Sequence, residues 1–248
     1  MTAMANRVAE VLRSLERKGT RRIREEMRTR YGIIAPKAFG VRVGEIQQVA
    51  KKVGRDHELA LALWETGWYE ARMLCAYVDD PARVTAAQMD RWARDFDNWG
   101  ICDTVCFALF DRTPHAWKKV GPWSRRQDEF VKRAAFALLA SLGVHDKQSG
   151  DEPFRRSLKL IERGAFDERN FVKKGVSWAL RVVGRRSPAL HADSVDLARR
   201  LAESSNAGAR WVGKDAFREL TSAKLRTLMA RRARRVPARS KSPASKTR

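Results

Sequence analysis

The sequence predicts an all-α protein, a helical-repeat solenoid formed as a right-handed stack of antiparallel helix pairs. Apolar residues recur at helical spacing almost throughout, and no segment alternates convincingly with period two. Clusters containing Gly, Pro and Asp cut the chain into segments of about 10 to 15 residues, and consecutive pairs begin roughly 30 to 50 residues apart, the spacing of stacked helical hairpins. A chain of 248 residues with 44% hydrophobic side chains is long enough and apolar enough for one sizeable core.

In chain order, Val8, Val11, Leu12 and Leu15 make the first apolar face, and Val43, Ile46, Val49, Ala50 and Val53 the next. Leu59 and Leu63, then Met73, Leu74 and Tyr77, continue the pattern. Phe136, Leu139 and Leu142 follow, then Leu197 and Leu201. Breaks fall at 32–40, Gly54, Gly67, 79–81, 112–122, 142–153, 164–167, 184–188 and 204–208. Hairpins of this size are HEAT-like, and their inner helices line a concave face that suits a long partner. A compact bundle of unrelated helices is the alternative architecture.

Charge narrows the partner. There are 51 Lys and Arg against 29 Asp and Glu, a formal net charge of +22, which implies a polyanion. Residues 231–248 hold eight Lys or Arg and no acid, leaving +14 for the remainder. The solenoid is therefore placed at residues 1–230, and residues 231–248 are expected to form a disordered basic arm that adds sequence-independent attraction to phosphates. The body alone is still strongly basic.

Other chemistries find little support. Cys75, Cys102 and Cys106 form no CxxC pair and are too few for a disulfide framework, so a reducing compartment is expected. Cys102 and Cys106 lie one turn apart in an apolar run and read as small buried hydrophobes. His57, His115, His145 and His191 lack ligand spacing, so no metal and no cofactor is expected. No apolar run approaches a membrane span, and Arg7 and Glu10 do not fit a signal peptide. The expectation is a cytoplasmic, nucleoid-associated monomer.

Two segments carry aromatic and polar residues on a face separate from their core stripe. In FVKKGVSWALRVVGRR, Val172, Val176, Leu180 and Val183 form the core stripe, while Lys174, Trp178, Arg181 and Arg185 repeat that spacing on another face. An indole flanked by cations one turn away on either side can grip a phosphate backbone while its ring packs on sugar or base. Alternatively, Trp178 stacks under Arg181 at a seam between helices.

In FDNWGICDTVCFALF, Asp97 or Asn98 caps a helix whose core stripe is Ile101, Val105 and Leu109, and Trp99 and Asp103 share another face. A carboxylate in so apolar a run needs a hydrogen-bond partner, a wet cleft or a chemical task. The alternative is a carboxylate near a helix start, favoured by the macrodipole. Arg133, in FVKRAAFALLA, is placed to contact a phosphate or to pair with Asp103. Trp64, Trp68 and Tyr69 bracket Gly67 at a helix corner and read as packing, with Arg72 a further candidate phosphate contact.

These segments also carry a family likeness. YGI at 31–33, HELALALWETGWYEARML at 57–74, NWGICD at 98–103, FVKRAAF at 130–136 and FVKKGVSWALR at 171–181 occur in an order that resembles the AlkD-type DNA alkylation repair proteins, over roughly Val8 to Leu220. The resemblance implies a HEAT-like solenoid that wraps double-stranded DNA on a concave basic face. It also implies a DNA glycosylase that removes N3- and N7-alkylated purines without flipping the base into a pocket. By that resemblance Asp103 is the catalytic aspartate, Trp99 and Trp178 are the cleft tryptophans and Arg133 is the cleft arginine. Neutral lesions such as uracil should be poor substrates. The competing expectations are a non-catalytic protein of the same fold that binds DNA or branched nucleic acid, and a protein-interaction scaffold.

Overall fold

A computed structural model describes residues 3–235. In chain order the helices are α1 (Ala3–Glu16), α2 (Arg21–Thr29), α3 (Val43–Val53), α4 (His57–Glu65), α5 (Tyr69–Val78), α6 (Ala86–Arg94) and α7 (Trp99–Ala108). A 3-10 turn at Phe110–Arg112 leads to α8 (Ala116–Ser124), α9 (Glu129–His145), α10 (Asp151–Gly164), α11 (Asn170–Val183), α12 (Pro188–Ala202), α13 (Ala207–Leu220) and α14 (Ala223–Arg235). No strand occurs among the described residues. Six of these helices begin on a side-chain cap: Thr20, Asp56, Thr85, Asn98, Ser187 and Asn206 each accept from the backbone N–H three residues on.

The helices form the expected HEAT-like solenoid. One layer is the succession α3, α5, α7, α9, α11 and α13, each packed on the next. Behind it lie α1 against α4, and then α8, α10, α12 and α14 in sequence, with α4–α5, α8–α9, α10–α11 and α12–α13 joining the layers. Helix α9 is central and meets α7, α8 and α11, so its run Ala134–Leu142 is buried all round and lacks a polar face. The predicted stripes point inward: Val11, Leu15, Ile46, Leu63, Leu74, Phe136, Val172, Val176, Leu180 and Leu201 are all buried.

Two boundaries differ from the sequence reading. The break expected at 112–122 contains most of α8, which keeps Pro122 inside its last turns. Burial of Ala116, Val120 and Trp123 in the core outweighs the missing Pro N–H, whose bond would have been the only one lost. The arm expected at 231–248 is helical through Arg235, the last described residue. The rest of that arm lies outside the described residues.

The loop between α2 and α3 is fixed by a buried charge. Glu70 of α5 has no solvent exposure, and its carboxylate accepts from the backbone N–H groups of Phe39, Gly40 and Val41. Gly40 turns there at a φ of 84°, with its backbone pressed against Thr20 O and Arg24 N, where a Cβ would not fit. This pin holds the preceding turn, with Tyr31, beside the N-terminus of α7.

Candidate active site

The site is built on α7, α9 and α11, neighbours in one layer. Asn98 caps α7 by accepting from Ile101 N at 3.0 Å. From that start Trp99, Asp103 and Phe107 fall on successive turns of one face. The opposite face is core: Ile101, Cys102, Val105 and Cys106 are buried, and both cysteine thiols donate to α9 carbonyls, those of Phe130 and Ala134. Gly100 lets α7 begin hard against α5, since a Cβ there would stand 2.5 Å from Tyr69 Oη.

Asp103 does not face solvent alone. Arg133 of α9 donates Nε to Asp103 Oδ1 at 2.9 Å and NH2 to Oδ2 at 2.7 Å, a bidentate pair, and its NH1 donates to Phe171 O at 2.6 Å. The arginine side chain is 8% exposed and the aspartate 20%. Of the two roles the sequence offered Arg133, the structure therefore gives it the ion pair. With all three guanidinium nitrogens engaged and its head buried, it has no face for a phosphate.

Burial pushes the Asp103 carboxyl above its ordinary value, and the Arg133 charge and hydrogen bonds oppose that shift. Each carboxylate oxygen spends one lone pair on Arg133 and keeps another. Those remaining lone pairs, on the exposed edge of the group, are what the cleft offers a ligand.

Asp103 lines three open clefts: the one of about 540 Å³ reaches back past Arg42, Tyr69 and Gly100, and two more open beside the carboxylate. One, of about 500 Å³, is lined also by Arg30, Tyr31, Trp99, Arg133, Phe171 and Lys174. The other, of about 460 Å³, is lined by Gln47, Tyr77, Thr104, Phe107, Arg112, His145 and Trp178. The two tryptophans thus stand on either side of the carboxylate. Trp99 donates Nε1 to Tyr31 O at 2.8 Å and meets the Tyr31 ring edge-on at 6.5 Å. Trp178 lies nearly parallel to Phe107, with ring centroids 6.4 Å apart, and not under Arg181.

The predicted basic contacts divide. Lys174 is exposed, lines the cleft of about 500 Å³ and has no ion-pair partner among the described residues. Arg181 binds Glu219 at 2.6 Å and Ser177 O, and Arg185 also pairs with Glu219, so both are tied to α13. Arg72 is turned inward: it lies over the Trp64 ring and donates to the carbonyls of Trp64 and Asp95. The structure adds Arg30, Arg42 and Arg112 to the basic lining. It also adds Tyr31, Phe107 and His145, to which the sequence reading gave no role. Phe107 was within reach, one turn beyond Asp103, whereas Tyr31 comes from a distant loop.

Comparison with known proteins gives a consistent picture. The family model for "DNA alkylation repair enzyme" matches residues 11–220. A solved structure described as "a new family of proteins related to the HEAT-like repeat DNA glycosylases with affinity for branched DNA structures" superposes with a TM-score of 0.70 at 21% identity, covering 85% of this chain and 94% of that one. At that identity the likeness is one of fold. No curated protein matches the chain.

Proposed function

The chain belongs to the DNA alkylation repair enzyme family, and from that premise we propose that it is a monofunctional DNA glycosylase for N3- and N7-alkylated purines in duplex DNA. The observation that carries the proposal is Asp103: a carboxylate held by two hydrogen bonds from Arg133, edge-on to open clefts, between two indole rings.

Alkylation at N3 or N7 leaves a positive charge on the purine, so the base is already a good leaving group. As the C1′–N bond lengthens, its electron pair returns to the purine, and positive charge develops on the deoxyribose. A preorganised anion beside that carbon stabilises the developing charge. Water then forms the new C1′–O bond and its proton passes to the Asp103 carboxylate or to solvent. Arg133 opposes protonation of the carboxylate and fixes its rotamer. Trp99 and Trp178 present electron-rich ring faces to the cationic sugar or base. Lys174 and the unpaired arginines of the clefts hold the phosphates.

The clefts are open on both sides of Asp103 and do not form a single enclosed base pocket, which supports excision of a base that stays stacked. The enzyme would work as a monomer where its substrate lies, at the nucleoid in the cytoplasm. The direct test is excision from duplexes carrying one N7-methylguanine or one uracil, scored by alkaline cleavage of the abasic product. Release of the cationic base and not of uracil is expected. Binding without release of either base would instead favour a non-catalytic protein for DNA or branched nucleic acid, the reading that the solved relative's affinity for branched DNA supports.

A further inference from the structure

A second titratable pair faces the cleft. His145 is the last residue of α9, and its Nδ1 lies 2.5 Å from Oδ2 of Asp111, in the 3-10 turn that follows α7. The Asp111 side chain has no exposure, and its other oxygen, Oδ1, is buried without a hydrogen-bond donor among the described residues. The His145 side chain is 34% exposed, packs edge-on against Phe107 at 4.4 Å, and lines the same cleft as Asp103 and Trp178.

A buried carboxylate with one unsatisfied oxygen is costly unless a proton or a cation compensates it. Here the compensating group is an imidazole, the side chain whose charge changes at physiological pH. The end of α9 also favours positive charge through the helix macrodipole. Burial pushes the Asp111 carboxyl up, with the His145 hydrogen bond opposing it. With Nδ1 committed to Asp111, Nε2 is the nitrogen left to meet a ligand in the cleft.

We propose that His145, oriented by Asp111, is a further DNA-contacting residue: as an imidazolium it donates Nε2–H to a backbone phosphate of the strand that passes Trp178 and Asp103. The inference rests on the DNA-binding part of the reading above and is independent of catalysis. An arriving phosphate places His145 between two anions and stabilises its proton, so DNA affinity is linked to pH. The groups facing the imidazole agree with this. Asp111 and Arg112 come from the 3-10 turn, Asp103 from α7, Tyr77 from α5, and Asp146 from the residue after α9. From beyond α11, Arg186 is spent on the Gly143 and Asp146 carbonyls.

The test is equilibrium binding of a short unmodified fluorescent duplex at fixed ionic strength, between about pH 6 and about pH 8.5. Wild-type affinity should fall roughly tenfold across that range, the worth of one charge-assisted hydrogen bond. His145→Gln should bind weakly and without that pH dependence, and His145→Lys should bind tightly at every pH. At low pH the salt dependence of the wild type should be steeper than that of His145→Gln by about 0.9 in the log–log slope. Thermal melting of each variant confirms folding. A folded His145→Gln with wild-type pH dependence overturns the inference, as does an unchanged salt slope. A protein that binds DNA with this pH linkage and excises nothing upholds it while removing the glycosylase reading.

Discussion

Among the described residues four tryptophan indoles donate hydrogen bonds, and the contrast between them separates scaffold from site. Away from the cleft, three of them reach carboxylates: Trp64 to Asp95, Trp117 to Asp146 and Trp123 to Asp90, each at 2.8 Å. There the ring packs in or beside the core, as in the Trp64–Trp92 stack at 4.0 Å, and the aspartate satisfies its one polar atom. At the cleft the partners are exchanged. Trp99 gives its N–H to a backbone carbonyl, and Asp103 takes its hydrogen bonds from Arg133. An aspartate that caps an indole is consumed by the scaffold. One gripped from behind by arginine keeps an edge for a ligand.

The largest effect that can break this contrast is on Arg133. Arg133→Ala leaves Asp103 half-buried and unpaired and removes the donor to Phe171 O, so unfolding in urea should show a loss of about 3 to 5 kcal/mol. Stability near wild type would mean that the pair is not buried as described. Next is Gly100→Ala, which drives a Cβ into the Tyr69 hydroxyl and should cost about 1 to 3 kcal/mol by the same measurement. It should also disturb Trp99, readable as a change in tryptophan fluorescence.

The smallest effect sharpens the comparison through pH. Burial alone would raise the Asp146 carboxyl, but hydrogen bonds from Ser149, Trp117 and Gln148 pull it down to about 2. A depressed folded value gives stability that is present above the ordinary unfolded value and lost as pH falls through the folded one. Asp146→Asn should therefore melt below wild type at neutral pH by about 1 kcal/mol, and the two curves should converge as the solution is acidified towards pH 2. Asp103 has the opposite sign. Its raised value means that acidification relieves a burial penalty, while excision, which needs the ionised form, falls as pH drops through a value above the ordinary carboxylate range. A pH–rate profile whose acid limb sits at or below that range would contradict this assignment.

Much of the fold was legible because burial writes itself into helical periodicity, and the stripes at Val172, Val176, Leu180 and Val183 or at Ile101 and Val105 are where the sequence places them. Helix α8 was not legible, since Pro122 signals a break that only packing against the core overrules. Within the site, Trp99 with Asp103 and Lys174 with Trp178 could be read because each pair shares one helix face. The spending of Arg72 on carbonyls and of Arg181 on Glu219 could not, because their partners lie in other helices or at helix ends. The resemblance to repair proteins, more than spacing, picked out Asp103 from the other carboxylates.

The account rests on that choice of aspartate, and the most direct measurement is single-turnover excision of N7-methylguanine by Asp103→Asn beside Asp95→Asn, under conditions where both are folded. Asp103→Asn should retain DNA affinity and lose about a hundredfold or more in rate, while Asp95→Asn loses stability and keeps the wild-type rate. Excision at the wild-type rate by Asp103→Asn, or an equal loss in both variants, would contradict the division between the site carboxylate and the scaffold carboxylates.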